Sequence, residues 1–156
     1  AVTGIGVVHT ESTQDFRCVV FDVIRTSPKQ DLSARLKIIY DGIAQAVGLY
    51  HPDHVAMEDI FYGRNVQAAL KLGQARGAAI IAAINSGVPV TTYSAREVKM
   101  ALTGYGAASK EQVQHMVKDL LNLEQLASPL DASDALAIAL CHAQRCWSQK
   151  NYIIKS

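Results

Sequence analysis

The sequence has few of the residues that stabilise small extracellular domains. It contains only three cysteines among 156 residues, Cys18, Cys141 and Cys146, and no two of them form a C-x-x-C pair. An odd number of cysteines without such a pair argues against a disulfide framework and against a zinc site with sulfur ligands. We therefore expect reduced thiols with mostly structural roles.

A long uninterrupted apolar run is also missing. Glycine, proline or a charged residue breaks every apolar stretch before it could span a bilayer, and no stretch resembles a signal peptide. We expect a cytoplasmic protein with no membrane partner. With 49% hydrophobic and 19% charged residues, the chain suits a single globular domain over residues 1–156, in which 151–156 form a short tail.

The chain as a whole lacks an excess of charge of one sign, but its middle does not. The formal net charge is +1, yet residues 61–110 contain six basic residues and one acidic residue, which gives +5 and leaves −4 for the rest. A basic segment of this kind suits a polyanion such as DNA. The alternative is a solvated helical face with no partner.

Hydrophobic periodicity predicts an α/β fold. Four strands are predicted, at residues 3–10, 16–24, 54–58 and 88–93, of which the first two form a hairpin. Five helices are predicted, at residues 32–47, 66–85, 95–103, 110–122 and 129–149. Ser94 with Glu97 and Ser109 with Gln112 each match a capping box, which places the starts of the third and fourth helices. Two strands followed by alternating helices and strands predict a mixed sheet with helices on its faces.

Three carboxylates occupy positions at which catalysis is common. Glu58 ends an apolar strand, so its side chain should emerge at the carboxyl edge of the sheet. Asp131 and Asp134 lie three residues apart, on one face of a helix that Ser128 can cap and that Pro129 can begin. Each acid has a plainer interpretation as a helix cap or a surface charge, which suits Asp131 best and Glu58 least.

Five short strings resemble one protein family in order and spacing. They are Val2-Thr-Gly-Ile-Gly-Val-Val8, Ala56-Met-Glu-Asp-Ile-Phe61, Ala69-Leu-Lys-Leu-Gly-Gln-Ala-Arg-Gly77, Gln112-Val-Gln-His-Met116 and Asp131-Ala-Ser-Asp-Ala-Leu-Ala-Ile-Ala139. Together they resemble the RuvC family of Holliday junction resolvases, which are crossover junction endodeoxyribonucleases of the ribonuclease H-like superfamily. The resemblance runs from residue 2 to about 145.

This resemblance implies a ribonuclease H-like mixed sheet with helices on both faces. It also implies that Glu58, Asp131 and Asp134 correspond to three of four metal-binding carboxylates. The family places its fourth aspartate in a G-I-D-P-G motif on the central first strand, just before the segment aligned with Val2-Thr3-Gly4. Because that strand is absent from the sequence, we expect the molecule to contain residues before Ala1.

The expected cofactor follows from the chemistry of the three acids. Clustered carboxylates would repel each other and a phosphate unless cations lay between them. Hard oxygen ligands select Mg²⁺, with Mn²⁺ as a substitute. Two such ions can activate water and stabilise the departing oxygen in phosphodiester hydrolysis.

Further site residues are expected from the resemblance. Lys99 and Lys110 match basic positions near the scissile phosphate, although both are also ordinary positions for an exposed lysine. Phe61, Tyr62 and Arg64 resemble a loop inserted at the junction crossover, where aromatic rings can stack on unpaired bases. A place for Phe61 in the core is the alternative.

Two basic residues of the 61–110 segment complete the expected DNA-binding set. These are Lys71 and Arg76, both on the predicted helix 66–85. The same helix has an unusually smooth surface, because it carries Gly73, Gly77, Ala78, Ala79, Ala82 and Ala83. Such a surface suits close packing within the chain, against a second copy, or both on different faces.

The sequence therefore favours a metal-dependent endonuclease that resolves four-way DNA junctions in recombination and repair. The resemblance implies a homodimer, whose two sites would match a two-fold junction, and a branch-migration motor complex as partner. Two alternatives stay open. One is a non-catalytic junction-binding dimer, which the absent fourth carboxylate makes plausible; the other is a related nuclease acting on RNA or RNA–DNA hybrids.

Overall fold

The structure is a computed structural model that describes the backbone of residues 1–59 and 63–155 and the side chains of residues 1–59 and 63–147. The chain divides into two compact units. The first comprises Ala1–Thr3 and Ile24–Ser94, and the second comprises Gly4–Val23 and Ala95–Ser156. The single nuclease domain expected over residues 1–156 stays a prediction.

The chain begins with the predicted hairpin. Strands β1 (Val2–Thr10) and β2 (Phe16–Arg25) form a two-stranded sheet. A connection of five residues is too short for a parallel crossover, so the two strands run antiparallel. In the connecting loop the Ser12 hydroxyl accepts hydrogen bonds from the backbone N–H groups of Gln14 and Asp15, at 3.3 and 3.1 Å.

The first unit alternates helices and strands. Its elements are α1 (Leu32–Tyr50), β3 (Val55–Glu58), α2 (Val66–Asn85) and β4 (Val90–Tyr93). The two helices pack on each other, and the two strands pair in parallel, with Val55 opposite Val90 and Glu58 opposite Tyr93. The Asn65 side chain caps α2 by accepting a hydrogen bond from the N–H of Ala68 at 3.1 Å.

The second unit contains three helices that pack on one another. They are α3 (Ala95–Thr103), α4 (Lys110–Leu120) and α5 (Leu130–Lys155). Val117, Leu136 and Leu140 are fully buried in this unit. The capping box predicted from Ser109 and Gln112 is confirmed, because each side chain bonds the other residue's backbone N–H, at 3.2 and 2.8 Å.

The predicted combination of strand directions is confirmed, but the sheet is divided. Among the described residues, β1 pairs with β2 and β3 with β4, in two separate two-stranded sheets. The predicted α/β class, with helices and both kinds of strand pair, is therefore confirmed. Hydrophobic periodicity locates a strand and its buried face, but it does not specify which neighbouring edge supplies the ladder hydrogen bonds.

Two predicted boundaries are also corrected. The last helix begins at Leu130, so Pro129 rather than Ser128 occupies the flanking position, and the Pro129 carbonyl accepts the N–H of Ala132 at 3.0 Å. The last strand of the first unit begins at Val90 rather than at Val88. Pro89 has no N–H to donate to a ladder, although its carbonyl accepts the N–H of Val55 at 2.9 Å.

Two expectations drawn from absences can be compared with the structure. None of the three cysteines forms a disulfide, and Cys141 is fully buried. Within the described part of the chain, no helix combines the length and the apolar character needed to cross a bilayer.

Candidate functional site

Glu58 is the last residue of β3 and is exposed. The strand pairing continues for one bond beyond it, because the N–H of Asp59 donates to the carbonyl of Tyr93 at 2.8 Å. Glu58 therefore lies at the carboxyl end of a parallel strand pair, where side chains are held by the ladder but are not covered by it.

The residue after Glu58 is tied to the neighbouring helix. The Arg76 guanidinium, on α2, lies 3.7 Å from the carboxylate of Asp59. The Arg76 side chain is mostly buried, and its Nε has no hydrogen-bond partner. These contacts favour a role in holding the end of β3, whereas the expected DNA contact of Arg76 stays a prediction.

Asp131 and Asp134 lie in the first two turns of α5. Asp131 is exposed and Asp134 is partly exposed, whereas Ala132 and Ser133 between them are buried. Residues three apart on a helix share a face. The burial pattern therefore turns both carboxylates away from the core of the second unit, on the same side of the helix.

The start of α5 is fixed by two glycines of β1 that the sequence analysis did not assign to the site. A Cβ at Gly4 would overlap the backbone carbonyl of Asp131, and one at Gly6 would lie 2.8 Å from the backbone nitrogen of Leu136. Only a strand with glycines at these positions can lie so close to the helix. Their spacing of two, which places them on one strand face, is the signal that could have identified them.

Lys110 forms an ion pair with one of the candidate ligands. Its ammonium nitrogen lies 3.1 Å from a carboxylate oxygen of Asp134, and both side chains are about half exposed. Lys110 is the first residue of α4, immediately after the Ser109 cap. The capping box therefore sets the position from which the ammonium reaches α5.

The other predicted basic residues have different surroundings. Lys99 is partly buried on α3, and its backbone carbonyl accepts the hydroxyl of Thr103 at 2.7 Å. Arg64 and Lys71 are exposed before and within α2. Phe61 and Tyr62 lie outside the described residues, so the expected crossover loop stays a prediction.

A contact between α3 and α5 was not predicted from the sequence. The Arg145 guanidinium lies 3.2 Å from the Glu97 carboxylate, and the Cys141 thiol lies 3.9 Å from the Glu97 carbonyl. Burial raises the pKa of the Cys141 thiol; the Arg145 charge lowers it and the Glu97 charge raises it, each by less. These contacts hold the helix that carries Lys99 against the helix that carries Asp134.

The chemistry of the acidic side chains fits a hard divalent cation. Asp131 and Asp134 offer carboxylate oxygens on one side of α5, and the Lys110 ammonium shows that a positive charge is attracted there. Mg²⁺ and Mn²⁺ prefer such oxygen ligands. Glu58 belongs to the first unit and the two aspartates to the second, so a site shared by all three stays a prediction.

Comparison with known sequences identifies one family. The sequence model described as crossover junction endodeoxyribonuclease RuvC matches residues 1–142. The chain is 51% identical over 144 residues to the protein of that name from Geotalea uraniireducens, with 91% of this chain and 82% of that protein covered. It is also 51% identical over 142 residues to the one from Tolumonas auensis, covering 91% and 80%.

Comparison with solved structures agrees. T. thermophilus RuvC in complex with a Holliday junction substrate matches with a TM-score of 0.90 at 37% identity, covering 94% of this chain and 88% of that one. A second Thermus thermophilus RuvC structure matches with a TM-score of 0.85 at 36% identity, with the same coverage. This agreement of sequence and fold over nearly the whole chain places the protein in the RuvC family.

Proposed function

We propose that this protein is an endonuclease that resolves Holliday junctions by metal-dependent hydrolysis of phosphodiester bonds in DNA recombination and repair. The observation that carries the proposal is the match to T. thermophilus RuvC in complex with a Holliday junction substrate, with a TM-score of 0.90 over 94% of this chain. The exposed carboxylates of β3 and α5 supply residues suited to this chemistry.

Glu58, Asp131 and Asp134 are the residues that we propose hold the metal. These carboxylates would hold two Mg²⁺ ions, or Mn²⁺ in their place, which would supply Lewis-acid activation of water and charge stabilisation for the hydrolysis. The protein's own contribution is to fix the ligands. Gly4 allows β1 to lie against the carbonyl of Asp131, and the β3–β4 ladder fixes the backbone at Glu58.

Lys110 and Lys99 are proposed to stabilise the negative charge that develops on the reacting phosphate. A positive charge held in place before the reaction stabilises the transition state without reorganisation. The Ser109–Gln112 capping box holds the backbone from which Lys110 extends, and the Glu97–Arg145 ion pair holds the helix that carries Lys99.

DNA recognition is proposed to combine shape with backbone charge. Arg64 and Lys71 follow Glu58 in the sequence, and both are exposed. Exposed cations bind phosphates without regard to base sequence. Phe61 and Tyr62 are proposed to enter the junction crossover. Arg76 is proposed to act mainly through Asp59, as its burial and ion pair indicate.

The proposed assembly is a homodimer that acts with a branch-migration motor in the cytoplasm. Support for the dimer comes from α2, where Val66, Leu70, Ile81 and Ile84 are exposed apolar residues at the spacing of one helical face. On that same face, a Cβ added at Gly77 would meet nothing within 4 Å. A second α2 packed there would remove these side chains from water.

The test is a cleavage assay on matched synthetic substrates. The protein is incubated with a four-way junction, a linear duplex of the same sequence and an RNA–DNA hybrid, with Mg²⁺, Mn²⁺ or EDTA. Symmetric cuts confined to the junction and dependent on metal are expected. Equal cutting of the linear duplex or hybrid would favour the alternative nuclease, and binding without cutting would favour a junction-binding module.

Substitutions of the proposed ligands separate chemistry from binding. Glu58→Gln and Asp134→Asn remove a metal ligand but leave the basic surface, so cleavage should be abolished while junction affinity changes little. Asp119→Asn, an exposed acid at the other end of α4, is the matched control and should cut normally. Full cleavage by either ligand variant would refute its assignment.

A further inference from the structure

The loop between α3 and α4 presents an exposed aromatic side chain. Tyr105 is 62% exposed, more than nearly all other large apolar side chains among the described residues. It follows Gly104, whose positive φ of 74° is a conformation that favours glycine. The ring is therefore exposed at the first position of a hydrogen-bonded turn rather than packed in a core.

Local hydrogen bonds hold this turn in one conformation. The Thr103 hydroxyl donates to the Lys99 carbonyl at 2.7 Å and accepts the N–H of Tyr105 at 3.1 Å. The Tyr105 carbonyl accepts the N–H of Ala108, also at 3.1 Å. An exposed ring on an ordered turn loses little conformational freedom when it binds a partner, which favours binding.

A guanidinium lies beside the same turn. A Cβ added at Gly106 would lie 3.0 Å from Cγ and 3.2 Å from Nε of Arg96, so the absence of a side chain at Gly106 lets Arg96 lie against the loop. Arg96 is itself exposed. The acid next to it in sequence, Glu97, bonds to Arg145 on α5, so Arg96 is the basic group beside the turn.

The turn also lies close to the candidate catalytic residues. Its last hydrogen bond is made by Ala108, Ser109 then caps α4, and Lys110 reaches Asp134 at 3.1 Å. A hydrogen-bonded turn keeps its first and last Cα atoms within about 7 Å. Tyr105 therefore lies near the start of α4, whose first residue, Lys110, meets Asp134.

We propose that Tyr105 stacks on a base of the DNA strand to be cut and that Arg96 pairs with an adjacent backbone phosphate. This inference rests on the proposed junction-cleaving function and adds a second aromatic contact, in the second unit of the fold, to the one expected from Phe61 and Tyr62. An aromatic face with a neighbouring guanidinium matches a nucleotide, which offers a π-face and an anionic oxygen.

The experiment measures binding and stacking separately. Four-way junctions carrying 2-aminopurine at single positions flanking the cut are titrated with protein in EDTA, so that no strand is cleaved. Anisotropy gives the affinity and the base fluorescence reports stacking. Tyr105→Ala, Tyr105→Phe and Arg96→Gln are compared with the wild type, and Tyr50→Ala, an exposed tyrosine at the end of α1, is the control.

The expected results distinguish a stacking role from a structural one. Tyr105→Ala should weaken junction binding about ten-fold, the size of one lost aromatic–base stack, and should abolish the quenching of one 2-aminopurine. Tyr105→Phe should keep both signals because the ring face remains. Arg96→Gln should reduce the slope of log affinity against log salt concentration by about one, the contribution of one phosphate contact. The variant should keep the 2-aminopurine quenching.

Failure of the proposed function and failure of this inference give different results. If the wild-type protein shows no preference for the junction over linear duplex, the proposed function fails. If the wild type binds and cuts junctions but Tyr105→Ala binds and quenches like the wild type and Tyr50→Ala, this inference is wrong. Unchanged melting temperatures of the Tyr105 variants are expected, because the side chain is largely exposed.

Discussion

Lys110 and Asp134 bring opposite charges within 3.1 Å at the start of α5, on a surface that water reaches. Ion pairs in such a position contribute little to folding, because solvent screens them. The ion pair matters for metal binding instead, because the Lys110 ammonium contacts a carboxylate that we propose as a metal ligand. A cation that binds Asp134 must compete with the Lys110 ammonium.

Lys110→Met should therefore bind Mn²⁺ more tightly than the wild type, even if its cleavage is slower. The dissociation constant should fall by up to about five-fold, because exposed ion pairs are worth up to about 1 kcal/mol. Isothermal titration calorimetry measures this directly. Lys118→Met, in the last turn of the same helix, is the control, and unchanged or weaker Mn²⁺ binding by Lys110→Met would show that the ion pair does not compete.

Cys141 differs from the other thiols in both burial and reactivity. It is fully buried, and burial raises its pKa above the ordinary value of 9.0. Because the pKa is raised, the protonated thiol stabilises the fold below pH 9.0, and this contribution is lost as pH rises through the folded-state pKa. Only the thiolate reacts with alkylating reagents.

At pH 8, iodoacetamide should therefore label Cys141 at least about a hundred-fold more slowly than Cys146, since opening a core helix costs several kcal/mol. Peptide mass spectrometry at successive times measures the labelling rate of each of the three cysteines. Labelling in concentrated urea, where the thiols should react at similar rates, is the control. Equal rates in the folded protein would mean that the α3–α5 packing around Cys141 opens readily.

Single residues of the site differ in how far sequence could predict them. The positions of Glu58, Asp131 and Asp134 are predictable, because a strand end and a spacing of three on a helix are local properties, and their role as metal ligands stays a prediction. The contact of Glu97 with Arg145 joins residues 48 positions apart. No periodicity carries that information, and the capping pattern at Glu97 suggested a different partner.

At the scale of elements, the contact between β1 and α5 determines where the aspartates lie. Gly4 and Gly6 lie two residues apart, on the same face of the strand, and each meets the backbone of α5. At Gly4 all three nearest atoms belong to the α5 backbone, whereas at Gly6 a side-chain carbon of Leu136 also lies near. Backbone atoms cannot move aside without moving the helix. The position of Asp131 therefore depends on the absence of a side chain at Gly4.

Gly4→Ala should destabilise the protein by about 1–3 kcal/mol, the usual cost of overpacking, and should reduce junction cleavage by displacing the start of α5. Urea unfolding measures the free energy. Gly48→Ala is the matched control, because a Cβ there meets nothing within 4 Å and alanine favours a helix by up to about 1 kcal/mol. Equal stability of the Gly4 variant and the wild type would contradict the observed packing.

Element boundaries were largely predictable because they depend on local chemistry. The bounds of α2 and α3 agree with the prediction, and the Ser109–Gln112 box correctly marked the start of α4. The predicted start of α5 at Pro129 is one residue early, because the Pro129 carbonyl, and not a Ser128 cap, accepts the first helical N–H groups. The pairing of β1 with β2 was predictable because their connection is short, whereas the pairing of β3 with β4 depends on edges that are distant in sequence.

At the scale of the whole molecule, the family and the α/β fold class predicted from the sequence are confirmed. The proposed dimer depends on one surface, the exposed apolar face of α2 formed by Val66, Leu70, Ile81 and Ile84. Three of the alanines predicted to make this helix smooth, Ala79, Ala82 and Ala83, are buried within the chain and therefore do not belong to this exposed face. Gly77 is the small residue that belongs to the exposed face.

Ile81→Glu should convert the proposed dimer to a monomer, because a carboxylate buried between two helices would lose its hydration without a partner. Sedimentation velocity measures the oligomeric state.

A supercoiled plasmid with an extruded cruciform tests the consequence for cleavage. The variant should accumulate nicked circles, since a monomer cannot place two sites on one junction, whereas the wild type should produce linear plasmid directly. Leu72→Glu is the matched control, because Leu72 is as exposed as Ile81 but lies on a different face of α2, so this variant should remain dimeric and linearise the plasmid. A dimeric Ile81→Glu variant that cuts both strands together would move the dimer interface away from this face.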